Sequence, residues 1–134
     1  MTTMMAFRLA SVVTAIDVLV SCGFSIAAII RPQVLVPAES VRTRASLLLA
    51  MYAAAPRIPL ALLVLGAIYM QATPALLILG ALAGAIQLLD AGIGLFRHDL
   101  AKCAGPLFIA VLQFFVVYVL HRSRRKPSVD GLSP

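Results

Sequence analysis

Charge is what this sequence has least of. Only 12% of its 134 residues are Asp, Glu, Lys or Arg, where soluble domains carry about a quarter. A surface with so few charges cannot keep a water-soluble domain of this size in solution, so a soluble globular fold is excluded. Cysteine is also scarce, with Cys22 and Cys103 alone. A structural disulfide between them is open, but two isolated thiols in apolar segments are expected to stay reduced and buried. Neither has metal-ligand spacing with His98 or His121, so no metal site is assigned. No nucleophile motif, phosphate-binding loop or redox pair is present, and no cofactor is expected. The period-2 alternation of membrane-barrel strands is missing, and no repeat of 20–50 residues dominates the chain.

What the chain has in abundance is apolar length. Hydrophobic residues make up 62% of it, and the mean hydropathy is +1.03. They fall in blocks rather than amphipathic stripes, at about 9–30, 45–70, 74–96 and 103–120. Each block supplies the roughly 18 or more residues that cross about 30 Å of hydrocarbon at 1.5 Å per residue. The expected fold is therefore an all-α integral membrane protein, an up-down bundle of four transmembrane helices. It forms a single domain over residues 1–126, with a disordered polar tail at 127–134. The short connections Gln71–Pro74 and Arg97–Lys102 make consecutive spans antiparallel neighbours. The first connection, Arg31–Arg44, is longer, and Pro37 or Ser40 could open the second helix.

The net charge of +6 sits almost wholly in connections and the tail. Arg122, Arg124, Arg125 and Lys126 follow the fourth span directly, a juxtamembrane cluster suited to anionic headgroups rather than to nucleic acid. Orientation is balanced. Arg8 and the cluster on the terminal side match Arg31, Arg42, Arg44, Arg97 and Lys102 on the other, so the positive-inside rule gives no preference. The compactness of the cluster favours cytoplasmic termini in a bacterial inner membrane, with dual topology as the alternative. Leu19-Val20-Ser21-Cys22 has lipobox form, yet apolar residues continue to Ile30 where a polar tether would follow. An uncleaved first span is expected.

Three charges interrupt the spans: Asp17 in the first, Arg57 in the second and Asp90 in the third. Ionisable groups at such depth are costly and normally face the bundle interior. Arg57 lies between Pro56 and Pro59. A helix ended at Pro56 would leave Ile58–Met70 too short to cross, so the span should continue through both prolines and kink, freeing carbonyls near Tyr52. Ser11, Thr14, Asp17, Ser21 and Ser25 follow 3- and 4-residue steps and share one helix face, which points that stripe inward. The hydroxyls can satisfy themselves on carbonyls one turn back; Asp17 cannot. Counting 1.5 Å per residue puts Asp17 roughly 12 Å and Asp90 roughly 24 Å from the terminal side, with Arg57 between them. Both carboxylates are candidate partners of Arg57, with Gln87 and Gln113 completing a hydrogen-bonded network. One arginine against two aspartates leaves one acid without a full partner, a group fitted to proton binding, cation binding or acid/base work. The candidate ligand- or proton-binding residues are thus Asp17, Ser21, Arg57, Gln87, Asp90 and Gln113, with Asp17 and Asp90 the candidates for catalysis.

Gly80 and Gly84 have G-x-x-x-G spacing in the third span, continued by Gln87, Ala91 and Gly94. Small residues at this interval admit a second backbone, either inside the bundle or in a homodimer. The arginine in Ala55-Pro56-Arg57-Ile58-Pro59-Leu60-Ala61, the late aspartate in Leu88-Leu89-Asp90-Ala91 and the long first connection together resemble small four-helix bacterial membrane proteins of DoxX-like layout. The likeness covers roughly Leu9–Leu120 and implies the fold more than an activity. It departs where that family has an acid after the arginine (here Ile58) and a histidine-glycine pair early in the fourth helix (here Gly105-Pro106). The reading that follows is a polar intramembrane site that binds or passes a small hydrophobic or amphipathic molecule. The alternatives are a proton-coupled exporter of small multidrug type, a cofactor-free isomerase, cyclase or hydrolase using an aspartate, and a structural subunit of a membrane complex.

Overall fold

The computed structural model describes residues 2–30, 44–96 and 98–125. Its helices are α1 (Thr3–Ile30), α2 (Arg44–Ala54), α3 (Arg57–Tyr69), α4 (Thr73–Phe96) and α5 (Leu100–Arg125), with no strand among the described residues. Four stretches are long and apolar enough to cross a bilayer: Thr3–Ile30, Met51–Tyr69, Thr73–Phe96 and Lys102–Arg125. The start of the second helix at Pro37 or Ser40, and the tail from 126 onward, lie outside the described residues.

The ends of the outer helices overrun the apolar blocks for local reasons. Thr2 caps α1, its hydroxyl accepting from the Met5 amide at 3.3 Å and its carbonyl from Ala6 at 3.1 Å, so the helix starts at Thr3 rather than Leu9. No breaker stands between Leu120 and Pro127, and α5 runs on to Arg125. Arg122, Arg124 and Arg125 are therefore in its last turn, where cations complement the negative end of the helix. The Thr3 hydroxyl reaches the Ser123 carbonyl at 3.3 Å, placing both ends of the chain's helical core on one side.

The proline pair acts at one point rather than two. Pro56 separates α2 from α3 by a turn at Ala55–Pro56. The Ala55 amide still reaches Met51 at 3.0 Å and the Leu60 amide reaches Pro56 at 3.3 Å, so the chain continues in the same sense across the break. Pro59 falls in the first turn of α3, where its missing amide costs nothing. The Tyr52 and Ala55 carbonyls have only prolines four residues on, and so no helical donor.

Two tight turns complete the antiparallel path. Gln71 (φ 51) and His98 (φ 55) take left-handed conformations just past α3 and α4. Amide bonds from Gln71 to Ile68 and Ala72 to Ala67, and from His98 to Leu95 and Asp99 to Gly94, close both as Schellman motifs. Asp99 then caps α5, accepting from the Lys102 amide at 3.2 Å and pairing with its ammonium at 3.0 Å.

α4 packs on α3 and α5, and α1 packs on α2, α3, α5 and, across the centre, α4. Small residues line these contacts: Ala10, Ala61, Ala83, Ala91 and Ala110 are buried, while Leu62, Leu89, Phe108 and Phe115 point outward. A water-soluble bundle does the reverse; a bundle in lipid gains nothing by burying leucine and packs by close approach. A Cβ on Gly80 would stand 2.9 Å from Gln113 Nε2 and 3.0 Å from Val117 Cγ2, and one on Gly84 would stand 3.2 Å from Gln113 Cγ. The face proposed for a homodimer is thus occupied by α5 of the same chain.

Candidate functional site: a polar ladder through the bundle

The stripe on α1 faces inward as its spacing requires. Ser11, Thr14, Asp17 and Ser25 are buried, as are Gln87 on α4 and Gln113 on α5. They meet in three tiers. In the lowest, Gln113 Nε2 donates to Thr14 Oγ1 at 2.7 Å. In the middle, Gln87 Nε2 donates to Asp17 Oδ1 and, at 2.7 Å, to Ser21 Oγ. In the highest, Arg57 spans two helices: Nη2 pairs with Asp90 Oδ2 at 2.6 Å and Nη1 donates to Ser25 Oγ at 3.1 Å.

This divides the charge network that the sequence suggests. Arg57 pairs with Asp90, and its remaining bond goes to Ser25 rather than Asp17. It stands at the level of Asp90, not between the aspartates: six residues, roughly 9 Å of helix, separate it from Met51, and six separate Asp90 from Phe96, the matching ends of the two spans. Asp17 is instead the charge at the midpoint of its helix. Gln113 does not join the ion pair either. Antiparallel packing of α5 on α1 sets it opposite Thr14, one turn below Asp17, in space left by Gly80.

Ser25 and Thr14 are site residues that residue type alone did not single out. Ser25 does donate to the Ser21 carbonyl at 2.8 Å, one turn back. A hydroxyl oxygen satisfied as a donor still accepts, however, and Arg57 uses it. Position on the face of Asp17 was the available signal.

Among the described residues, three buried side-chain polar atoms lack a hydrogen-bond partner: Ser11 Oγ, Asp17 Oδ2 and Gln113 Oε1. The upper tier is matched in charge, whereas Asp17 accepts from the Gln87 amide and forms no ion pair among the described residues. Two voids touch it. A cleft shared with Ser21, Arg57 and Leu60 has a volume of ≈ 10 Å³, about the room of one water. A groove between α1 and α5, walled by Val13, Ile16, Val20, Ile109 and Leu112, has ≈ 100 Å³. Asp17 is the one polar residue on that wall. The arrangement can hold a proton or a hydrogen-bond donor at Oδ2. Cys22 and Cys103 are free thiols and take no part in the ladder.

No protein-family model matches the chain, and no curated protein or solved structure is similar to it.

Proposed function

We propose that this chain is an integral membrane protein of DoxX-like layout, with four transmembrane helices, whose site at Asp17 binds or passes a small amphipathic molecule. The observation that carries the reading is Asp17, whose Oδ2 is buried without a partner in a residue that belongs to the polar ladder and lines the apolar groove. A buried carboxylate oxygen left unsatisfied is costly, and a ligand with a polar head and an apolar body relieves that cost. Arg122, Arg124 and Arg125 are exposed on the last turn of α5 and, with Lys126 next in sequence, form the basic cluster proposed to meet anionic headgroups. They favour cytoplasmic termini in a bacterial inner membrane.

Thermal unfolding of the protein in lipid nanodiscs tests this, using hexanoate, hexanol and hexylamine as probes of three head-group charges. One of the three should raise the midpoint by a few degrees in the wild type, as mass action requires at ligand concentrations near 100 Kd, and by nothing in Asp17→Asn. Equal shifts in both proteins, or none with any probe, would defeat the proposal. Proton-coupled export is the second reading. It is favoured because Asp90 neutralises Arg57 at 2.6 Å, which leaves Asp17 as an acid free to exchange a proton for a solute.

A further inference from the structure

We infer that the α1–α5 groove recognises a short alkylammonium ion, its N–H donated to Asp17 and its chain laid along Val13, Ile16, Val20, Ile109 and Leu112. This deepens the reading of Asp17 as a ligand site by naming the class of ligand.

Three observations converge. The first is charge: Asp17 and Asp90 face only Arg57 within the described bundle interior, and Arg57 is committed to Asp90. A cationic ligand supplies the counter-charge that the ionised form of Asp17 lacks, and an anionic one would be repelled by it. The second is hydrogen bonding: Oδ2 is an acceptor with nothing donating to it, so the head group carries a donor, which in a cationic head is an N–H. A quaternary ammonium has the charge but no donor. The third is shape and polarity. The groove has ≈ 100 Å³ and a wall that is apolar apart from Asp17. An unbranched alkyl chain can lie along that wall with its far end in the open side of the groove.

The groove opens sideways. Ile16 and Val20 on its wall are exposed on the surface that faces lipid in a membrane-spanning bundle. An amine dissolved in the bilayer can therefore enter without passing the ion pair above or the tightly packed Leu76, Val116 and Leu120 below, each of which is buried. A proton is the natural competitor for Oδ2, so ligand occupancy and protonation of Asp17 exclude one another.

Titration calorimetry on nanodisc-embedded protein, with empty nanodiscs as reference, tests the class. Hexylamine should bind, and hexyltrimethylammonium should bind about tenfold or more weakly, as loss of a charge-assisted hydrogen bond implies. Asp17→Asn should abolish hexylamine binding. Leu112→Trp leaves the ladder untouched at a surface position and should also abolish it by filling the groove. Binding of hexanoate or hexanol that needs Asp17, without hexylamine binding, would overturn the cation while sparing the site. Equal affinity for both amines would overturn the donor requirement. Binding that survives Leu112→Trp would overturn the groove. No binding by any probe would remove the site itself.

Discussion

The ion pair between Arg57 and Asp90 gives the sharpest test of how the helices are held together. Consider Arg57→Met, Asp90→Leu and the double variant. A fully buried pair loses about 3–5 kcal/mol when one member is removed, whereas an exposed pair loses about 1 kcal/mol at most. Here the side chains are 21% and 31% exposed, so the cost lies between those limits, at about 2 kcal/mol for either single change. Ser25 softens both losses. Its hydroxyl keeps the Ser21 carbonyl, so removing Arg57 orphans nothing on α1, and removing Asp90 leaves the guanidinium with one neutral acceptor. The double variant has no lone charge and should be within about 1 kcal/mol of wild type. The cycle thus yields a coupling of about 3 kcal/mol. Steric-trap unfolding in bicelles reads these differences directly. Additive losses, with the double variant about 4 kcal/mol down, would refute the pair as the link between α3 and α4.

Two glycines near the end of α4 should respond in opposite senses to the same change. A Cβ on Gly94 would stand 2.8 Å from the Cys103 amide nitrogen and 2.9 Å from the Lys102 carbonyl carbon. Because that neighbour is backbone, Gly94→Ala should cost about 2 kcal/mol of overpacking in the same unfolding assay. Gly92 has nothing within 4 Å, so Gly92→Ala should gain up to about 1 kcal/mol from helix propensity. At the first tight turn, Gln71 holds φ 51. Gln71→Gly should stabilise by about 1 kcal/mol, since a side chain in the left-handed region is strained and glycine is not; thermal unfolding in nanodiscs checks it.

Several features were legible in the chain because they depend on composition and period alone. Long apolar blocks announce four helices of membrane-crossing length, and the 3- and 4-residue steps from Ser11 to Ser25 fix an inward polar stripe whatever the neighbours are. The wish of Arg57 for a carboxylate was equally plain. The partner was less so. Counting residues along separate spans places Arg57 between Asp17 and Asp90, because a count along one helix does not fix its height against another; the 2.6 Å pair with Asp90 does. The glycine face was visible too, but spacing does not say which helix comes close. Gln113, Phe114 and Val117 on α5 answer that.

What the sequence determined by itself is therefore the inventory: four apolar stretches long enough to cross a bilayer, one inward face on the first, and three charged residues set within them. Those follow from the cost of exposing backbone and charge to hydrocarbon, which each segment meets on its own. What only the tertiary structure decided is how the inventory pairs. Arg57 lies 2.6 Å from Asp90, Gln87 serves Asp17, and Gln113 is drawn off to Thr14. Pairing depends on the relative height and rotation of separate helices, set by contacts such as those of Gly80 and Gly84 with α5, which no single segment encodes. The consequence is that Asp17, at the midpoint of α1, keeps an unpartnered oxygen beside the groove.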